Sequence, residues 1–266
     1  MTGLSLGVSC PSYMPATPTW PPKSTPRLFV EQPLTEGSEI HVVGNNAHYL
    51  LGVMRLKEGS AVKLFDDISG EFLATVSSTG KRDLILTIEA RLRGRDEVPD
   101  LWLCQALVKK DRFDWIAEKA CELGAARFVP VLTARCVVDK VKEDRLRAQM
   151  IEAAEQCERT ALPEIASLTK LDALLKNWPE GRILYFCDER GGEAFAPKPG
   201  PAAILIGPEG GFTDKENAAI RAHPSAIPVS LGPRILRADT AAVAALSVWM
   251  AKAGDWQLFD PSDKVD

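Results

Sequence analysis

The chain has 266 residues and a formal net charge of -4, with 45% hydrophobic and 26% charged residues. That is enough for one large domain or two modest ones around a buried core, in proportions usual for globular proteins. No run approaches the roughly 18–20 apolar residues of a membrane span, and the charge excludes a protein that coats nucleic acid through many phosphate contacts, though not one with a local basic patch.

Residues 1–26 read as a disordered tail: six prolines between Pro11 and Pro26, with Ser and Thr and no apolar periodicity. A secretory signal would need a charged start and a longer apolar run. Residues 27–95 read as all-β, with short alternating runs at Glu39–Val43, Ala61–Phe65, Glu71–Val76 and Leu84–Leu92. Turn signals such as Gly44-Asn45-Asn46, Glu58-Gly59 and Ser69-Gly70 separate them, and the spacing suggests a small barrel. Ala47–Leu56 is a short helix candidate carrying His48 and Arg55, and the charged stretch up to Pro99 and Asp100 reads as a linker.

From residue 99 to 256 the pattern is α/β. Strands are expected at Leu101–Val108, Phe128–Leu132, Ile183–Cys187, Ala202–Ile206 and Ile227–Leu231. Helices are expected from Asp111 to a stop at Gly124, from Glu143 to Thr160, from Asp214 behind a Thr213/Glu216 capping box, and from Thr240 to Ala253. Strands alternating with helices imply a mostly parallel sheet covered on both faces.

The six cysteines, Cys10, Cys104, Cys121, Cys136, Cys157 and Cys187, form no C-x-x-C pair, and His41, His48 and His223 are scattered. Reduced, mostly buried thiols and no metal site are expected.

Ligands of open parallel sheets bind at the carboxyl ends of the strands. Two such ends stand out. Gly207-Pro208-Glu209-Gly210-Gly211-Phe212 follows one strand; Gly232-Pro233-Arg234-Ile235-Leu236-Arg237-Ala238-Asp239-Thr240-Ala241 follows the next and turns directly into a helix. Each loop alone could be a turn. A phosphate cradle is disfavoured, because neither G-x-x-x-x-G-K-[ST] nor a helix-opening G-x-G-x-x-G follows a strand. Two adjacent glycine–proline strand ends, one with two arginines beside an acid, point to a ligand site.

These two segments, each with its preceding strand residues (Leu205-Ile206 and Leu231), resemble the signature segments of the RsmE family, which methylates ring nitrogen 3 of a uridine in bacterial 16S ribosomal RNA. Gln105–Gly124, Glu152–Arg159 and the opening Arg27-Leu28-Phe29-Val30 agree as well, so that the resemblance spans about residues 27–256 in the expected order. The family usually carries Glu where this chain has Asp239.

The resemblance implies a SPOUT-type methyltransferase domain with a carboxyl-terminal trefoil knot, a small PUA-like domain ahead of it, a homodimer and S-adenosyl-L-methionine as methyl donor; the cysteine usage fits a cytoplasmic location. It also implies that the donor is held by Leu205, Ile206, Gly207, Pro208, Gly210, Gly211, Ser230, Leu231, Gly232, Arg234, Ile235 and Leu236, with Asp188 near the end of a neighbouring strand. The uridine nitrogen must lose a proton before it attacks. Glu209 and Asp239 are the candidate acceptors, and Arg237 the candidate cation for the charge developing on the base; Asp239 could equally cap the last helix. Arg27, Phe29, Arg55, Arg91 and Arg93 are candidate RNA contacts from the small domain. Arg112 and Arg159, on two helices, either contact RNA or tie those helices together through buried ion pairs. A non-catalytic RNA-binding assembly factor of the same fold is the alternative reading, and a phosphate-handling α/β enzyme ranks last.

Overall fold

The computed structural model describes residues 25–257. The expected tail over 1–26 falls outside them except for its last two residues, and so does Cys10.

Five strands form the first sheet: β1 (Arg27–Phe29), β2 (Glu39–Val43), β3 (Ala61–Asp66), β4 (Gly70–Thr79) and β5 (Asp83–Arg93), in the order β1-β3-β4-β5-β2. Their period-two apolar pattern turns Ile40, Val42, Leu84, Leu86 and Ile88 inward onto Val62, Leu64, Phe72 and Ala74. The helix expected over Ala47–Leu56 starts earlier. It is α1 (Gly44–His48) followed by one π turn over Tyr49–Val53.

The second sheet holds eight strands, all described pairs parallel, in the order β11-β13-β10-β12-β6-β7-β8, with β9 also on β7. In chain order its elements are β6 (Leu101–Ala106), α2 (Lys110–Glu122), β7 (Arg127–Leu132), α3 (Glu143–Cys157), β8 (Glu164–Ile165), β9 (Thr169–Lys170), α4 (Leu171–Lys176), β10 (Ile183–Cys187), β11 (Glu193–Ala194), β12 (Ala202–Ile206), α5 (Asp214–Arg221), β13 (Ala226–Ser230) and α6 (Ala238–Ala253). Alternation along the strands splits the core in two. Leu101, Leu103, Tyr185, Ile204 and Ile206 face α2, α3 and α6. Cys104, Leu184, Phe186, Ala203 and Leu205 face the other way, toward α4 and α5.

Three helix limits depart from expectation. α3 stops at Cys157 because Glu158 is left-handed at φ 62, well before Pro163. α6 begins at Ala238, so Arg237 is its N-cap residue and Asp239 lies inside the first turn; Asp239 does not cap the helix. α2 begins at Lys110 behind Lys109. The capping box of α5 is formed as expected: Thr213 Oγ1 accepts from Glu216 N at 3.2 Å and Thr213 N donates to Glu216 Oε2 at 2.9 Å. Such caps contribute about 1 kcal/mol.

The two sheets meet through β1. Phe29 and Phe65 of the small sheet, 5.4 Å apart edge to face, belong to the core beneath α2 and α3. The Arg27 guanidinium lies 3.8 Å above the Phe65 ring; it donates to the Glu71 carboxylate, to Ala154 O, and at 3.0 Å to Arg159 O. Arg159 in turn donates to Cys121 O at 2.7 Å and Ala125 O at 2.8 Å, closing the end of α2. Arg93 reaches the other Glu71 oxygen at 3.1 Å and the Asp96 carboxylate at 2.9 Å. Burial alone would raise the Glu71 pKa, but the hydrogen bond and charge of Arg27, helped by Arg93, outweigh it and hold that carboxyl below its ordinary value.

Among the described cysteines, Cys104 and Cys121 are buried, Cys136 and Cys187 half-buried and Cys157 exposed, all as free thiols. No group of His, Cys, Asp or Glu among the described residues could hold a metal ion. None of the described helices is long and apolar enough to cross a membrane.

Candidate donor cleft

Parallel strands bring the carboxyl ends of β10, β12 and β13 side by side, because β10 pairs with both of the others. The loops leaving these ends enclose a cleft of about 530 Å³, within the ordinary size range of small-molecule sites. Its floor is apolar, from Ile206, Val229, Leu231, Leu236 and Ala241; its rim is polar, from Glu189, Arg190, Ser230, Glu209, Arg234 and Arg237.

Gly207 lies against the Phe212 ring: a Cβ there would come within 2.8 Å of Phe212 Cε2. Phe212 is itself pinned edge to face on Phe186, ring centroids 5.3 Å apart, so the ring has little room to yield. Gly232 is needed for a different reason. Its φ of +114 is closed to L side chains, while the space where a Cβ would stand is open, so a ligand can approach the backbone. Ser230 shapes the same turn, accepting from Gly232 N at 3.3 Å.

The cleft behind β10 is held by a charge cluster. Asp188, with a 1% exposed side chain, accepts from Arg190 N at 2.9 Å, from Asn217 Nδ2 at 3.1 Å and from Arg221 Nε at 2.9 Å. Arg190 pairs with Asp214 at 2.6 Å. At the opposite rim, Glu209 accepts from Lys109 N at 3.3 Å and lies 3.5 Å from Arg112 Nη1; Arg112 Nε is 3.9 Å from Asp239 Oδ2. Arg234 and Arg237 make no ion pair among the described residues, which leaves their charge available to a ligand.

With this geometry in view, the chain can be set beside known proteins. Residues 96–250 match the family model described as RNA methyltransferase domain, and residues 44–89 match that described as RNA methyltransferase PUA domain. The ribosomal RNA small subunit methyltransferase E of Rickettsia conorii is 31% identical over 230 residues, which covers 83% of this chain and 93% of that protein. The Bacillus subtilis protein of the same name is 31% identical over 242 residues, covering 83% and 94%. The chain belongs to the ribosomal RNA small subunit methyltransferase E family. Solved structures agree. A methyltransferase of Legionella pneumophila holding S-adenosylmethionine superposes with a TM-score of 0.80 at 31% identity, over 87% of this chain and 99% of that one. The Neisseria gonorrhoeae member of the family, bound to S-adenosylmethionine, gives 0.79 at 26% identity over the same shares.

In this methyltransferase the residues expected at the donor line the cleft except for two. Leu205 is fully buried on the opposite face of the sheet, and Gly210 turns its carbonyl to Arg135 Nη1 at 2.8 Å. Asp188 lines the cleft, but its carboxylate is held by Arg221 and Asn217, so it shapes the strand end instead of offering a free oxygen. Of the catalytic candidates, Glu209 and Arg237 line the cleft, and Asp239 reaches it through Arg112.

The expected RNA contacts divide. Arg27, Phe29 and Arg159 are buried at the junction of the two sheets, with the Arg27 and Arg159 guanidiniums bonded to carbonyls and Glu71, so they are not an RNA surface. Arg93 is held by Glu71, Asp96 and Glu158 O. Arg55, in the loop before β3, and Arg91, on β5, are exposed. Arg112 belongs to the cleft. Glu189, Phe212 and Pro233 stand in the segments that the sequence singled out but had no role assigned there, and Arg190, two residues beyond Asp188, was passed over; all four line the cleft. The sequence had no signal for Arg221 and Asn217, whose partner Asp188 is far away in the chain.

Proposed function

We propose that this chain transfers a methyl group from S-adenosyl-L-methionine to ring nitrogen 3 of a uridine in the 16S ribosomal RNA of the small subunit. The observation that carries the reading is the cleft itself: it is built from the glycine–proline strand ends of a domain that matches the RNA methyltransferase model, and it joins an apolar floor to an acidic and a basic rim. These residues fit the donor. The apolar floor suits an adenine, the open backbone at Gly232 and the half-buried Ser230 suit its polar portion, and Glu189 and Arg190 offer opposite charges at the strand end. Bound there, the donor supplies an electrophilic methyl carbon on a sulfonium, which departs as a neutral thioether.

The protein's own part is to hold the acceptor and move one proton. Glu209 takes the proton from uridine nitrogen 3, leaving its electron pair on the ring nitrogen, and Arg237 faces the negative charge that then spreads over the base. Alignment of the two substrates supplies much of the rest. RNA is guided in by Lys109, Lys110, Arg135 and Arg234 around the cleft and by Arg55 and Arg91 on the small domain, which we delimit as residues 27–95. The methyltransferase domain takes residues 99–256, with the trefoil knot at its carboxyl end. The location is cytoplasmic, where the ribosomal subunit is.

α6 supports a homodimer. Of its sixteen residues only Asp239 and Lys252 are charged, yet Val243, Ala244, Ser247 and Val248 are only half-buried. A helix apolar all round is normally covered all round, and a second copy is the cover. Val248→Arg is expected to convert the dimer to a monomer in light scattering; a wild-type chain that is already monomeric would refute the assignment.

Incubating the protein with methyl-labelled donor and small subunits from cells lacking the enzyme tests the main reading. Label is expected on one uridine at nitrogen 3. Label on ribose or another base would overturn the specificity, and calorimetry showing no donor binding would favour the assembly-factor reading.

A further inference from the structure

Among the described residues, Arg112 is the one whose side chain lies within 4 Å of both candidate proton acceptors, Glu209 and Asp239. It stands in the first turn of α2, Glu209 comes from the loop after β12, and Asp239 from the first turn of α6. Among the described residues, the Glu209 carboxylate is otherwise held only by Lys109 N, from the residue that precedes α2. Asp239 Oδ1 is taken by Thr240 N at 2.9 Å, which leaves Oδ2 facing Arg112. Without this guanidinium, the two carboxylates would share the rim with one backbone N–H each, Lys109 N on Glu209 and Thr240 N on Asp239, and no cation between them.

We propose that Arg112 is a positioning residue for proton transfer: its guanidinium spans Glu209 and Asp239 and holds the Glu209 carboxylate toward the acceptor base. The distances of 3.5 and 3.9 Å are longer than the roughly 2.7–2.9 Å of a closed charge-assisted hydrogen bond. The clamp is therefore loose enough to adjust when the acceptor enters, and the planar fork of arginine can serve two acids at once where lysine, a single point charge, serves one well. The side chain is 34% exposed, so a plain phosphate contact is the competing role. The proposal rests on the reading that Glu209 takes the proton.

The test compares Arg112→Gln and Arg112→Lys with the native enzyme on small subunits, measuring kcat, the KM for the subunit and donor affinity by calorimetry. Arg112→Gln is expected to lower kcat about thirtyfold, part of the 10²–10⁴ that a well-placed base contributes, while KM and donor affinity hold. Arg112→Lys is expected to recover part of kcat. A raised KM with kcat unchanged would make Arg112 a phosphate contact and overturn the proposal. Equal losses in both variants, together with weakened donor binding, would make it a structural tie and overturn it as well. Should Arg112→Gln fail to fold, the decision passes to Arg112→Lys, for which native kcat with a raised KM is the overturning result. Glu209→Gln separates the two readings: if that variant turns over normally, the assignment of Glu209 fails first, whereas a slow Glu209→Gln beside an unaffected Arg112→Gln removes only the role of Arg112.

Discussion

Glu209→Gln is expected to slow methyl transfer by roughly 10²–10⁴-fold at neutral pH, the usual worth of a positioned general base, with donor affinity unchanged. Glutamine preserves the length of the side chain and one carbonyl oxygen for Lys109 N, so the loop that follows β12 keeps its anchor to the start of α2. It cannot take up a proton. Uridine nitrogen 3 ionises in alkaline solution without help, so the variant should recover activity as pH rises, and single-turnover rates across that range would show it. Native rates at neutral pH would shift the role to Asp239, which stands across Arg112 from Glu209.

Glu71→Ala is expected to cost about 3–5 kcal/mol of stability, because removing one partner of a buried pair leaves an uncompensated charge. Both side chains of the Arg27–Glu71 pair are 6% exposed, and without Glu71 the Arg27 guanidinium keeps only the neutral carbonyls of Ala154 and Arg159 as hydrogen-bond partners. At roughly 2–4 °C per kcal/mol for a chain of this size, the melting temperature should fall by about 10 °C. The pH dependence has a definite sign. The folded pKa of Glu71 lies below its ordinary value of 4.5, so its contribution is complete above that value and is lost as pH falls through the folded one. Native protein should therefore lose stability in acid more steeply than Glu71→Gln. Equal acid limbs in thermal melts of the two would show that the pair contributes nothing.

Local patterning went far in this chain. Ile183–Cys187 and Ala202–Ile206 are strands with the limits their apolar runs imply, since a strand buried on both faces has no other way to satisfy its backbone. The capping box at Thr213 and Glu216 and the stop at Gly124 are equally local, set by side-chain oxygens and backbone freedom within a few residues. Limits that depend on contacts slipped. α3 ends at a left-handed Glu158 because Arg93 and Arg159 gather that corner of the chain, and no proline marks it. The short strands β8, β9 and β11 carry two residues each, too few for a period.

The glycine–proline strand ends were a candidate ligand site from their composition alone, because turn chemistry is written in adjacent residues. Which charges would serve that site was not. Arg27, Arg159, Asp188 and Arg112 look alike in sequence, each a charge on a plausible surface. Folding gives the first two to carbonyls at a domain junction, locks the third behind β10 with Arg221, and delivers the fourth to Glu209, 97 residues away. A charged side chain takes whichever opposite charge or dipole the folded backbone brings within a few ångströms, and in a parallel sheet those neighbours come from crossovers far apart in the chain. Sequence determined that a site stands at these strand ends; the tertiary structure decided which charges face it.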